Sequence, residues 1–154
     1  MNLEEYKSYW YQNNEVLYVV NTQQADKIKV DRNTYVFITE WGLPANAAPF
    51  LSFDEFLEEE FLSVNEYLGI NRAEMDSFLV FGTNGSGDPV CIDINSANEI
   101  LGLNHDNNLE QTYMNKSILK FALCLIRYQQ FITLTKDNSN TNGGKKFSDQ
   151  SFEK

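Results

Sequence analysis

The sequence predicts a single α+β domain built around an antiparallel sheet, and three observations point to this fold class. Residues 77–104 hold three short apolar runs joined by turn-forming polar residues. Such short connections join antiparallel strands, because a parallel pair needs a crossover of a dozen or more residues. Residues 118–131 form an apolar segment typical of a helix that covers a sheet. Finally, 154 residues with 42% apolar content suffice for one well-buried core and are too few for two ordinary domains.

Residues 77–104 are predicted to form a meander of three strands. The apolar runs at 78–81, 89–94 and 99–103 alternate with the connections GTNGSGD and NSAN. Both connections are rich in residues that accept positive φ or cap their own turns. Tight turns of this kind set the register between neighbouring strands, so that alternate side chains of each strand face a core.

The chain upstream of the meander is predicted to begin with a helix over residues 2–11. Leu3, Tyr6 and Trp10 recur there at spacings of three and four, which places them on one helical face. Residues 15–21 are compatible with a strand or with a continuation of this helix. Both alternatives stay open from the residues alone.

A second helix is predicted over residues 31–41, although the run YVFIT within it has strand propensity. Asp31 is a suitable N-cap, Gly42 suits a left-handed C-terminal position, and Pro44 prevents continuation. These end signals favour the helix over the strand.

The remaining elements are a loop, two short strands, an ambiguous segment and the long helix. We assign residues 45–49 to the loop, residues 50–53 to a strand and residues 112–115 to an edge strand. Residues 61–70 are compatible with a strand or with a short helix. The helix over 118–131 is apolar around most of its circumference, which predicts that it packs on the sheet.

The C-terminal part of the chain differs in composition from the rest. Residues 137–146 are mainly Asn, Ser, Gly and Lys, which predicts a mobile loop. Phe147 and Phe152 follow, and weak docking is expected through these two side chains. We therefore predict one α+β domain over residues 1–136 and a flexible polar tail over residues 137–154.

The chain is acidic, with a formal net charge of -10 and an isoelectric point of about 4.5. This charge argues against direct binding to nucleic acid backbones or to anionic membranes. It is compatible with a basic protein partner, and equally with a role in solubility alone.

The sequence indicates a cytoplasmic bacterial protein. The N-terminal residues lack the basic and apolar regions of a secretion signal, and no run approaches the roughly 18 apolar residues that span a bilayer. Cys91 and Cys124 lie within apolar runs, which predicts buried reduced thiols rather than a disulfide.

No residue pattern indicates an active site, a metal site or a cofactor. The glycines of GTNGSGD lack the ending of a phosphate loop, and Asp88 places an anion where phosphate would need neutralising. His105 is the single histidine, and Cys91 and Cys124 lack zinc-ligand spacing. Asp88 and Asp93 flank one strand, but an acidic chain supplies such carboxylate pairs by chance. We predict no enzymatic activity; a hydrolase that uses His105 is the less favoured hypothesis.

Candidate partner-binding residues lie in an acidic stretch, at a hairpin tip and at a helix end. The acidic stretch, residues 54–60, is more often typical of a solvated edge or helix end than of a partner surface. An aromatic residue beside Gly42 suits either a partner anchor or closure of the core over the helix end. The candidate set is Asp54, Glu55, Glu58, Glu59, Glu60, Asp88 and Trp41.

Three short segments, taken in order, resemble the SUKH superfamily. They are GLP at 42–44 after a predicted helix, FGTNGSGDPVCID at 81–93, and NKS at 115–117 before the apolar helix. The superfamily includes bacterial immunity proteins and relatives of a yeast cell-wall-synthesis regulator. The likeness spans residues 31–131; many relatives continue with a further helical segment, whereas this chain continues as DNSNTNGGKK.

The resemblance implies an α+β fold and a function without catalysis. It implies that the chain binds and neutralises a cognate polymorphic toxin, often a nuclease, inside the producing cell. A regulatory or scaffolding domain with no toxin partner is the alternative. Partner-binding residues in the superfamily vary with the toxin, so the resemblance transfers no fixed site.

Overall fold

The fold is described from a computed structural model covering residues 2–53 and 61–142, with side chains of the last helix described as far as residue 135. The predicted α+β class is confirmed. The helices are α1 (Leu3–Gln12), α2 (Thr22–Ala25), α3 (Arg32–Val36), α4 (Val64–Leu68) and α5 (Ile118–Asn142), with a π-helical turn at Phe37–Trp41 and a 3-10 turn at Ala73–Met75. The strands are β1 (Leu17–Tyr18), β2 (Leu43–Pro44), β3 (Asn46–Ala47), β4 (Leu51–Ser52), β5 (Phe78–Thr83), β6 (Pro89–Asp93), β7 (Glu99–Asn104) and β8 (Glu110–Asn115).

Strands β3 to β8 form a six-stranded antiparallel sheet in which each strand pairs with the next along the chain. The predicted meander is confirmed as β5, β6 and β7, and the predicted edge strand as β8. Strands β1 and β2 form a separate antiparallel pair. A bulge interrupts the β5–β6 register between Val80 and Gly82. Residue 82 has to be glycine, because a Cβ there would lie 2.5 Å from the ring of Phe53.

Two clusters of buried side chains share the strands of this sheet. Successive side chains of a strand point to opposite faces of the sheet. In β6, Val90 and Ile92 accordingly belong to the larger cluster and Cys91 to the smaller. The larger cluster includes residues of α1 and α5, and the smaller one includes Val64 of α4. The larger cluster contains three rings with centroids 5.8 to 6.0 Å apart: Phe53, Phe81 and Phe121.

The two predicted N-terminal helices are confirmed. Helix α1 begins after Asn2, which accepts a hydrogen bond from the Glu5 backbone N–H while the Glu5 carboxylate accepts one from Asn2. Its predicted apolar face is buried at Tyr6 and Trp10. Helix α3 begins after Asp31, whose carboxylate accepts from a backbone N–H at 2.7 Å.

The end of the second helix differs from the expectation in one detail. Gly42 has the positive φ of +73° that was expected, but its ψ of −172° is extended, so the chain leaves straight into β2. A Cβ at residue 42 would lie 2.0 Å from the carbonyl oxygen of Tyr18. Close pairing with β1 therefore requires glycine and directs the chain into the strand.

The open alternatives are resolved by the structure. The segment 15–21 contains strand β1 rather than further helix. The segment 61–70 contains helix α4, which begins after Ser63 with a second capping box to Glu66. The predicted loop 45–49 contains the two residues of β3, which pair with β4.

Helix α5 is longer than predicted. It begins after Ser117, as expected, and continues to Asn142, eleven residues beyond the predicted end. Residues 137–142, assigned to a tail from their composition, are therefore helical, and residues 143–154 lie outside the described residues. The boundary at residue 136 stays a prediction. Among the described residues, no helix is both long enough and apolar enough to cross a membrane.

The two cysteines differ in environment. Cys91 is buried as predicted, and burial raises the pKa of its thiol. The prediction of a buried thiol at Cys124 is wrong, because Cys124 lies on the outer face of α5, away from the buried Phe121 and Leu125. Neither thiol forms a disulfide.

Candidate protein-binding site

The loop that joins β3 to β4 presents an aromatic side chain to solvent. Ala48, Pro49 and Phe50 form this loop, with a cis peptide bond between Ala48 and Pro49. Phe50 is 83% exposed, the highest fraction among the exposed large apolar side chains of the described residues. The sequence predicted Phe50 as the start of a strand, but the strand begins at Leu51.

The conformation of Phe50 is as unusual as its exposure. Its φ is +70°, in the left-handed region that glycine and asparagine occupy at lower cost. A bulky residue in this region costs of order 1–3 kcal/mol. Exposure also forgoes most of the roughly 2–3 kcal/mol that burial of such a ring contributes. Phe50 is therefore costly in the isolated chain, and such residues concentrate at binding sites.

The turn between β5 and β6 supports the Phe50 loop. A Cβ at Gly85 would lie 2.8 Å from the Cβ of Phe50, so the glycine permits this close approach. The turn is held by Asn84, whose side-chain oxygen accepts from the backbone N–H groups of Ser86 and Asp88, both at 2.9 Å. The hairpin predicted for GTNGSGD is confirmed.

A cleft of about 810 Å³ lies beside Phe50. Its size falls within the range of ordinary ligand sites. It lies between the loop after β3, the end of α1 and the middle of α5. The apolar contributors include Pro49, Phe50 and Ile132, and the polar ones include Glu15 and Gln129. This combination of apolar and polar lining residues suits a protein segment with an apolar anchor.

Trp10 forms part of the cleft wall and connects it to the core. The side chain is 2% exposed and packs edge-on against Tyr6 and Tyr9. The Tyr6 hydroxyl donates to the carbonyl oxygen of Gly42 at 2.8 Å, and burial raises the pKa of this tyrosine, an effect that the nearby Trp10 indole partly offsets. The indole N–H itself makes no hydrogen bond of acceptable geometry. This part of the cleft wall is therefore packed against the aromatic side chains of the core.

Comparisons of this chain with known protein families, with curated proteins and with solved structures find no match. The resemblance to the SUKH superfamily stays a prediction from the quoted segments.

Asp88 lies between two hairpins rather than free at a tip. Its carboxylate accepts hydrogen bonds from the backbone N–H of His105 at 2.9 Å, from the His105 ring at 2.7 Å and from the Asn84 amide at 2.9 Å. The backbone N–H of His105 lowers the pKa of Asp88 most, and the Asn84 amide adds to the effect. Its hydrogen-bonding capacity is thus largely used within the chain, and its predicted contact with a partner stays a prediction.

Trp41 is half-buried and serves the core. It packs against the larger buried cluster, and the Lys7 ammonium lies 5.9 Å from the centroid of its ring. The same ammonium lies 5.9 Å from the ring of Tyr11. The structure therefore shows the core-closing contact at Trp41, while a partner contact there stays a prediction. The remaining acidic candidates lie outside the described residues: Asp54, Glu55, Glu58, Glu59 and Glu60.

His105 has only carboxylate partners among the contacts described. Besides Asp88, its ring lies 3.3 Å from the Asp106 carboxylate. In residues 2–53 and 61–142, no group of three or more His, Cys, Asp or Glu side chains is placed to hold a metal ion. The sequence did not predict the Phe50 cleft: Pro49 ended the predicted loop and Phe50 began the predicted strand, and nothing local showed that the ring is left exposed.

Proposed function

We propose that this chain acts by binding another protein, and that it is a non-catalytic immunity protein that neutralises a cognate toxin by occupying it. The observation that carries the proposal is Phe50, which is 83% exposed and in the left-handed region beside an open cleft. Binding of a partner over this ring would recover the hydrophobic free energy that the isolated chain forgoes.

Two further features support a basic toxin as the partner. The net charge of -10 suits a basic partner, because complementary charge accelerates association. The resemblance of residues 31–131 to the SUKH superfamily suggests that the basic partner is a toxin, with a nuclease as the leading class.

The decisive experiment is co-expression with the product of the neighbouring gene, scored by cell survival and by co-purification. The proposal expects rescue from toxicity together with a stable complex. Absence of any toxicity to rescue, with no complex, would remove the immunity function. A stable complex without toxicity would favour the regulatory or scaffolding alternative.

The same complex tests the site. Phe50→Asn removes the ring at a backbone position that asparagine tolerates, so we expect at least a tenfold rise in Kd. Tyr113→Ala is the matched control, since Tyr113 is also exposed, at 59%, but lies on β8. Equal losses in both variants, or none in Phe50→Asn, would argue against the Phe50 cleft. Reversing the charges across residues 58–60 should slow association, and unchanged kinetics would remove that patch.

A further inference from the structure

The outer face of α5 is positively charged in an otherwise acidic chain. Residues 111–136 contain no Asp or Glu and hold four of the twelve basic residues, so all 22 acidic residues lie elsewhere in the sequence. Lys116, Lys120 and Arg127 are exposed. Salt screens charges beyond about 8 Å at physiological ionic strength. A molecule that contacts this face therefore meets a positive surface, although the net charge of the chain is -10.

The side chains that give this face its charge lack acidic partners in the described part of the chain. Within residues 2–53 and 61–135, none of the three takes part in an ion pair, and the Arg127 guanidinium donates to the side-chain oxygen of Gln130 at 3.2 Å. The positive charge of Lys116 lowers the pKa of Lys120, because the two like charges lie close together. The positive end of the α5 dipole lies beside the same lysines. A carboxylate placed here would be stabilised by both lysines and by the helix.

Exposed apolar side chains continue this face toward the C-terminal half of α5. Lys120, Cys124, Arg127, Phe131 and Leu134 follow one another at intervals of four, three, four and three residues, which places them on one helical face. Phe131 is 60% exposed and Leu134 is 63% exposed. Cys124 is exposed between two of the basic residues. One face of the helix therefore combines a basic half with an apolar half.

We propose that this face, the α5 stripe formed by Lys116 and the five residues just named, binds an acidic amphipathic helix of another protein. Carboxylates of the bound helix lie against the basic half, and its apolar side chains pack on Phe131 and Leu134. Lys120 precedes Leu134 by 14 residues, or about 21 Å of helix and about four turns. Because all α-helices present side chains at the same repeat, a second helix contacts the stripe along this whole length.

The charge distribution favours a helix over larger anionic ligands. Nucleic acids and anionic membranes carry negative charge over a wide area, so both would also meet the acidic remainder of the chain. A single helix contacts the stripe alone. The stripe is also separate from the Phe50 cleft, which α5 lines through Gln129 and Ile132. The inference therefore concerns a second binding surface and does not rest on the proposed function.

The charge requirement is tested with a synthetic helical peptide of about 18 residues, or five turns, that carries Glu in one half and Leu in the other half of a single face. Fluorescence anisotropy of the labelled peptide with the full-length protein gives Kd. We expect the peptide with Gln in place of Glu to bind about tenfold more weakly. Lys120→Glu should raise the Kd of the acidic peptide about tenfold. Lys29→Glu is the matched control, since it makes the same change of charge at an exposed residue outside the stripe, and should leave Kd within about twofold of the wild type.

The apolar half is tested with the same peptide. Phe131→Ala should raise Kd about tenfold, because it removes the ring on which the leucines pack. Tyr113→Ala is the matched control, since Tyr113 has a similar exposure of 59% but lies on β8. Equal losses in these two variants would overturn the apolar contact.

Cys124 reports where the peptide binds, because its thiol is exposed whereas Cys91 is buried. The acidic peptide should slow the alkylation of Cys124 by iodoacetamide, and Phe50→Asn should bind the peptide as the wild type does. Equal Kd values for the Glu and Gln peptides, equal losses in Lys120→Glu and Lys29→Glu, or no protection of Cys124 would overturn the proposal. Lys120-dependent binding of a single-stranded oligonucleotide or of anionic lipid vesicles, without binding of the peptide, would overturn it in favour of that ligand. None of these measurements uses a toxin, so their failure is distinct from failure of the proposed function.

Discussion

Asp88 and His105 lie 17 residues apart in sequence, and the contact between them joins the ends of two hairpins. The Asp88 carboxylate accepts from both the backbone N–H and the ring of His105, at 2.9 and 2.7 Å. Asp88 follows the β5–β6 turn, and His105 follows β7. Because Asn84 also donates to Asp88, the contact holds the turn that lies against Phe50. The hydrogen bonds of this acidic residue therefore stabilise the wall of the candidate site.

Replacing Asp88 should destabilise the fold. Asp88→Asn removes the charge that accepts three hydrogen bonds, and bonds to a charged group at a partly exposed site contribute about 1–3 kcal/mol in total. Urea unfolding at neutral pH measures the change. Asp106→Asn is the control, since the Asp106 side chain is 86% exposed, and it should change stability by less than about 0.5 kcal/mol. Equal stability of Asp88→Asn and the wild type would show that the carboxylate contributes nothing.

The contribution of Asp88 should also depend on pH. Its folded-state pKa lies below the ordinary value of 3.8, so the unfolded chain binds the proton more readily. The stabilisation is therefore complete above the ordinary pKa and is lost as the pH falls through the lower, folded-state pKa. Urea midpoints of the wild type and Asp88→Asn should differ at pH 6, and the difference should shrink as the pH falls below 3.8 and through the folded-state pKa. A difference that stays constant down to pH 2 would contradict this assignment.

Removing the ring of Phe50 should stabilise the isolated protein. Phe50→Asn relieves a bulky residue from the left-handed region at little cost in burial, because the ring is 83% exposed. We expect a gain of about 1 kcal/mol, measured by urea unfolding. Phe50→Ala is the control, since alanine also removes the ring but has no preference for this conformation. A loss of stability in Phe50→Asn would mean that the ring makes contacts that stabilise the free chain.

The three-ring cluster should dominate the stability of the core. Phe121→Ala removes a side chain that contacts both Phe53 and Phe81 and should cost about 3–5 kcal/mol. Phe131→Ala on the same helix is the control, since Phe131 is 60% exposed and should cost less than about 1 kcal/mol. Thermal unfolding separates the two variants. Similar costs would mean that α5 packs through a different face.

The sequence by itself determined the strands of the meander. It also placed the starts of three helices within one residue, at 2, 31 and 118 against the observed 3, 32 and 118. These features depend on short-range physics: a turn-forming sequence, a capping side chain and a helical repeat act over a few residues. The same local signals failed at the end of α5. Polar composition over 137–142 predicted a loop, while the helix continues to Asn142.

Only the tertiary structure decided which side chains are exposed to solvent and which form hydrogen bonds with residues distant in sequence. Phe50 and Cys124 both belong to types that are usually buried, yet each faces solvent because of the elements around it. The Asp88–His105 contact depends on the registers of β5, β6 and β7, which bring the ends of two hairpins together. The exposure of a side chain and its tertiary contacts depend on residues distant in sequence, so a local sequence pattern does not reveal them. The candidate site depends on the exposure of Phe50 and on the Asp88–His105 contact, and for this reason the sequence did not predict it.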